Sequence, residues 1–152
     1  MRPELGAWTG MREAIMRFDP VAHLCRIENG VGPGMPDVNG CIKGIEFWAE
    51  LKGIPKWPGE PDGICRLKHG LLDSQRTWIH RRILAGGQVW VILGVRTRTP
   101  EWLIWDGLTA IEVLNHVSKE QLYQSAAIHS IGTFPTEQFF GNLTVGGAGR
   151  GL

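Results

Sequence analysis

Apolar and polar positions follow two different periods along this chain. Over residues 10–18, Met11, Ile15 and Phe18 fall near one side of a helix of about three turns, with Thr9 as its cap and Asp19-Pro20 as its end. Over residues 45–52 the period shortens to two. Ile45, Phe47, Ala49 and Leu51 take one face of a strand, and Glu46, Trp48, Glu50 and Lys52 take the other. The first set is a core face; the second has to meet something polar. Residues 88–95, QVWVILGV, form a continuous apolar run, as expected of a strand covered on both faces. Between these two strands a helix is predicted over 74–84, capped by Asp73 or Ser74 and stopped by Ala85-Gly86-Gly87.

The remaining pattern completes an order. Residues 21–27 read as a strand, 28–34 as a glycine-rich loop and 35–38 as the start of another strand. Asn39-Gly40 is a strong hairpin dipeptide, and Lys43-Gly44 is the alternative turn. Residues 53–70, punctuated by Pro55, Pro58, Gly59, Pro61 and Gly63, predict a long irregular excursion, uncommon unless functional or mobile. A further strand over 102–105 and helices over 109–116 and 118–127 follow, the last with a capping box between Ser118 and Gln121. The tail 141–152 is expected to be flexible. Helix, three strands, helix, strand (αβββαβ) argues for an α/β (or α+β) fold with a central mixed sheet flanked by helices. No repeat or linker divides the 152 residues, so one domain is expected, with a core over about 10–96 and a C-terminal extension over 97–140.

Composition narrows the picture by exclusion. No apolar run reaches the roughly 18 residues of a membrane span, and the charged N-terminus lacks a signal-peptide core. Cys25, Cys41 and Cys65 are odd in number and form no CxxC pair, which argues against a disulfide framework or zinc knuckle and for a reducing cytoplasm. The five histidines never fall at the i, i+4 spacing of a helical zinc site. Net charge is only +1, but its distribution is uneven. Residues 64–98 carry Arg66, Lys68, Arg76, Arg81, Arg82, Arg96 and Arg98 against Asp73 alone. Such a local positive field suits a polyanion, although a solvated basic helix would look the same.

Three residues carry candidate chemistry. Hydrolysis of a phosphodiester calls for stabilisation of negative charge on phosphorus and a nucleophile made from water, both of which divalent cations provide. Mg²⁺ takes hard oxygen ligands, one or two carboxylates with waters and substrate phosphate. Asp37 and Glu50 can supply them if the hairpin pairs their strands, and Lys52 lies about 6.6 Å beyond Glu50 on the same face, near enough to orient a water or neutralise charge. Separately, each has a bland reading: Pro-Asp is common turn chemistry, and Glu50 and Lys52 could be exposed strand positions.

Pro36-Asp37 followed by Glu50-Leu51-Lys52 resembles the PD-(D/E)xK nuclease signature. GMPDV, WAELKG, Gln75 on the next helix and the closing GGQVWVILGV together resemble the VRR-NUC and phage Holliday-junction-resolvase-like branch, over residues 10–96. The resemblance implies a restriction-endonuclease-like core and Mg²⁺ (or Mn²⁺). It implies Asp37, Glu50 and the carbonyl of Leu51 as metal ligands, Lys52 as the catalytic lysine and Gln75 reaching in from the helix. An acidic residue on the first helix often completes such sites; Glu13 is the candidate, with Glu4 and Glu28 as alternatives. Lys68, Arg76, Arg81, Arg82 and Arg26 are candidate phosphate contacts, and Trp48 either packs in the core or stacks on a base. The function implied is a DNA endonuclease selective for branched DNA, with a homodimer matching the two cut points of a junction. Its rivals are a nuclease for linear duplex, flaps or single strands, a catalytically silent DNA-binding module, and a structural protein.

Overall fold

The computed structural model describes residues 3–27 and 32–144. A six-stranded mixed sheet runs through it in the order β1 (His23–Arg26), β2 (Val38–Ile42), β3 (Ile45–Ile54), β4 (Val89–Val95), β5 (Glu101–Asp106) and β6 (Ile128–Ile131). Every neighbouring pair is antiparallel except β3 and β4, which are parallel. Parallel neighbours need a long crossover; here it comprises the irregular stretch after β3 and the helix α2 (Asp73–Leu84). With α1 (Pro3–Phe18) in front, the expected αβββαβ order is present.

The extension does not stand apart. β5 and β6 lengthen the same sheet, while α3 (Gly107–Val113), α4 (Lys119–Ser125) and α5 (Thr136–Asn142) cover it. α1 and α5 bury one face, where Met11, Ile15, Phe47, Ala49, Ile92 and Phe139 meet. α2, α3, α4 and the excursion bury the other, with Leu67, Ile79, Val91, Leu93, Trp105 and Leu122. All seven residues of β4 are buried, as its unbroken apolar run requires.

Several boundaries differ from expectation. α1 begins at Pro3, so Thr9 lies inside it and caps nothing. Gly10 weakens a helix in isolation, but here it lets α1 approach the sheet: a Cβ on Gly10 would stand 3.0 Å from the Trp102 ring, and one on Gly94 would stand 3.3 Å from the Cβ of Ala7. The hairpin turns at Lys43-Gly44, not Asn39-Gly40, with φ of 49° and 84° at the two turn residues. Asn39 and Gly40 are instead strand residues opposite Trp48 and Phe47, and the absent Gly40 side chain makes room for the Phe47 ring. α3 starts two residues early because Asp106 caps it, accepting from the Thr109 N–H at 3.1 Å. The capping box of Ser118 and Gln121 is present. α5 reaches Asn142, Leu143 is buried and Thr144 is hydrogen-bonded to Gln88, so 141–144 belong to the fold; residues 145–152 lie outside the described part.

Candidate active site

The turn at Lys43-Gly44 sets the geometry of the site. It pairs Val38 with Ala49, so Asp37, one residue before β2, stands opposite Glu50. Opposed residues of an antiparallel pair point to the same face. A turn at Asn39-Gly40 would have set Asp37 against Ile42. The Asp37 carboxylate is locked by the backbone of β3, accepting from the Leu51 N–H at 2.8 Å. Because a strand residue directs its N–H and C=O to the same neighbour, the Leu51 carbonyl also points towards Asp37. It lies beyond the last residue pair of the β2–β3 ladder.

Glu50 is 3% exposed. One carboxylate oxygen, Oε2, accepts from the Gln75 amide at 2.7 Å and pairs with the Lys52 ammonium at 3.2 Å. The other, Oε1, is buried with no hydrogen-bond partner among the described residues. Burial, and then the neighbouring charge of Asp37, push the Glu50 carboxyl up to about 8, against the opposing pull of Lys52.

Lys52 is held by three acceptors: Glu50, the Gly70 carbonyl at 3.2 Å and the Gln75 side-chain oxygen at 3.5 Å. The orientation of Gln75 follows from chemistry. Its oxygen also accepts from the Leu72 N–H at 2.8 Å, which only an acceptor can do, so its amide nitrogen must face Glu50. Gln75 thus ties the start of α2 to the acidic pair. Neither Asp73 nor Ser74 caps that helix, contrary to expectation: the first helical residue is Asp73 itself, and its carboxylate pairs with Arg76.

These groups open onto a cavity of about 650 Å³ lined by Asp37, Glu50, Leu51 and Lys52 from the sheet and by Leu67, Lys68 and His69 from the excursion. Two carboxylates, a carbonyl and room for solvent match the needs of Mg²⁺ or Mn²⁺, and the orphaned Oε1 is a buried acceptor that such a cation would satisfy. Among the described residues no three acidic, histidine or cysteine side chains converge as a metal cluster, so any further ligands would be backbone, water or substrate.

The other predicted residues divide. Lys68 is exposed on the rim of the cavity. Arg81 is exposed on the last turn of α2. Arg76 is engaged by Asp73 and by the Leu71 carbonyl. Arg82 lies over the Trp48 and Trp78 rings, at 5.2 and 4.6 Å from their centroids, and these rings meet edge-on at 5.0 Å. Arg82 is therefore a packing cation, and Trp48 is half-buried against the core beneath it rather than a free stacking platform. Arg26 pairs with Val38 and so points to the α1 face, away from Glu50, as does Leu24. Glu13 is exposed on α1, which packs on that same opposite face; the structure does not bring it to Asp37 and Glu50. Glu28 lies outside the described residues, and only the backbone position of Glu4 in α1 is described. The sequence left Gly70 and His69 unassigned: a backbone acceptor has no signature in residue type, and a lone histidine in a loop has no spacing to read.

No protein family and no curated protein matches the chain. Among solved structures it is similar to Archaeoglobus fulgidus Hjc, a Holliday junction resolvase from an archaeal hyperthermophile, at 15% identity and a TM-score of 0.44, over 66% of this chain and 77% of that one. At that identity and TM-score the likeness carries no functional weight.

Proposed function

We propose that this protein is a Mg²⁺- or Mn²⁺-dependent DNA endonuclease. Asp37, Glu50 and the Leu51 carbonyl are its metal ligands. The observation that carries the reading is the pairing of a buried carboxylate that lacks a partner for one oxygen with a second carboxylate and a triply held lysine, at the wall of an open cavity. A divalent ion bound there supplies charge stabilisation at phosphorus and a more acidic water. The rest belongs to the chain. Lys52, fixed by Glu50, Gly70 and Gln75, holds its positive charge beside the carboxylates, where it offsets charge that develops at phosphorus. Gln75 keeps the Glu50 carboxylate in place. Lys68 on the rim positions the sugar-phosphate chain without reading bases.

The preferred substrate in this proposal is branched DNA, cut by a homodimer, on the strength of the motif resemblance around Asp37, Glu50, Lys52 and Gln75. The test uses a labelled four-way junction, a matched duplex, a flap and a single strand, each with Mg²⁺, Mn²⁺ or EDTA. Cutting is expected with either metal and lost in EDTA, with the junction preferred. Equal cutting of the duplex would remove the junction selectivity. Absence of cutting on all four substrates in Mn²⁺ would sink the nuclease reading. Sedimentation with and without junction tests the dimer.

A further inference from the structure

The excursion that walls the cavity is fastened by the C-terminal extension. Trp57 donates to Glu101 at 2.6 Å, and Glu60 accepts from the Lys119 N–H at 2.8 Å. The Val117 carbonyl accepts from the Cys65 N–H at 2.8 Å. The fastening nearest to the site is made by a side chain. Asn115, between α3 and α4, accepts from the Leu67 N–H at 2.8 Å and donates to the Leu67 carbonyl at 3.2 Å, a two-pronged hold by one amide. The same side chain abuts Gly70 so closely that a Cβ there would collide with it. The Gly70 carbonyl is one of the three acceptors of Lys52, and Leu67, Lys68 and His69 line the cavity. Asn115 itself has φ of 67°. It is the left-handed residue that follows α3, a position where glycine or asparagine is favoured. Glycine would serve the backbone there; the amide serves the excursion.

We propose that Asn115 is a positioning residue of the active site: it sets residues 67–70 so that the Gly70 carbonyl holds the Lys52 ammonium beside Glu50. The C-terminal extension is thereby a working part of the site. The catalytic half of this inference rests on the nuclease reading; the structural half does not. The informative variant is Asn115→Gly, which suits the left-handed backbone and removes the hold, so that any loss of stability comes without backbone strain. Asn115→Asp keeps the oxygen that accepts from Leu67 and serves as the partial rescue.

Two readouts on the full chain separate the claims. The first is acylation of Lys52 by an amine-directed reagent, followed residue by residue by mass spectrometry. In the parent its ammonium is shielded, with a side chain 11% exposed. In Asn115→Gly its labelling should rise several-fold towards that of exposed Lys56, with Asn115→Asp between. The second is steady-state cutting: kcat should fall about tenfold to a hundredfold with KM nearly unchanged, and Asn115→Asp should recover part of it. Unchanged Lys52 labelling in Asn115→Gly would overturn the positioning role, whatever the activity. Changed labelling with unchanged kcat would overturn its catalytic relevance. A parental chain that does not cut would sink the nuclease reading, while the labelling still decides the role of Asn115.

Discussion

Glu50 is held in surroundings hostile to its own charge. Its carboxyl is raised from 4.5 to about 8 by burial and by Asp37. The folded chain therefore keeps a proton that the unfolded chain releases, and stability falls as pH climbs between those two values. The slope approaches ~1.4 kcal/mol per pH unit where the two states differ by one whole proton. Thermal melts without metal should show this decline from pH 5 towards pH 8, and Glu50→Gln should flatten it. Because a cation competes with that proton, Mn²⁺ should raise the melting temperature more at pH 8 than at pH 6, an effect absent in Glu50→Gln. For the reaction, Glu50→Gln and Lys52→Ala should each abolish cutting while leaving DNA binding in Ca²⁺ largely intact. Near-parental cutting by either variant would mean that the site lies elsewhere.

At the scale of elements, the β2–β3 hairpin and α2 decide what meets what. Gly44 turns with φ of 84°, and none of the described residues stands within 4 Å of where its Cβ would be. Gly44→Ala should then cost about 1–2 kcal/mol through backbone strain alone, read as a lowered denaturation midpoint. If it also weakens Mn²⁺ affinity, the register that sets Asp37 against Glu50 has been disturbed. On α2 the arginines should behave differently. Arg82→Ala should lower stability by about 1 kcal/mol by uncovering the Trp48–Trp78 pair and leave the salt dependence of DNA binding unchanged. Arg81→Glu and Lys68→Glu should weaken binding, each reducing the salt slope by about one. A reduced slope in Arg82→Ala would return that residue to the DNA surface.

For the whole molecule the question is what the last third contributes. Phe134, Phe139 and Leu143 lie in the same apolar cluster as Met11 and Ile15, and β6 covers the edge of β5. Truncation after Ala127 removes all of these, so the shortened chain should lose cooperative unfolding, visible as a broad melt. A sharp melt at the parental temperature would show that residues 1–127 suffice.

The local rules of side-chain chemistry were enough for much of this. Alternation over 45–52, the unbroken run over 88–95 and the cap and box residues of α4 depend on neighbours a few positions apart, and all reappear in the structure. The acid pair and its lysine were candidates from residue type and order, and Gln75 from the resemblance to a nuclease motif; their meeting depends on the Lys43-Gly44 turn and on α2 packing against the sheet. What tertiary packing alone decided is which competing local signals prevailed. Asn39-Gly40 is the stronger turn dipeptide, but a turn there would separate Val38 and Phe47 from the core they fill together. Gly10 argues against helix, but close contact with the sheet outweighs its propensity. Glu13 was assigned from the resemblance and Arg26 and Arg82 from type and neighbourhood, and only the tertiary packing put the first two on the far side and the third over two indole rings. The grip of Asn115 on Leu67 spans 48 residues, a separation no local pattern records, because it exists only once the extension has folded back over the excursion.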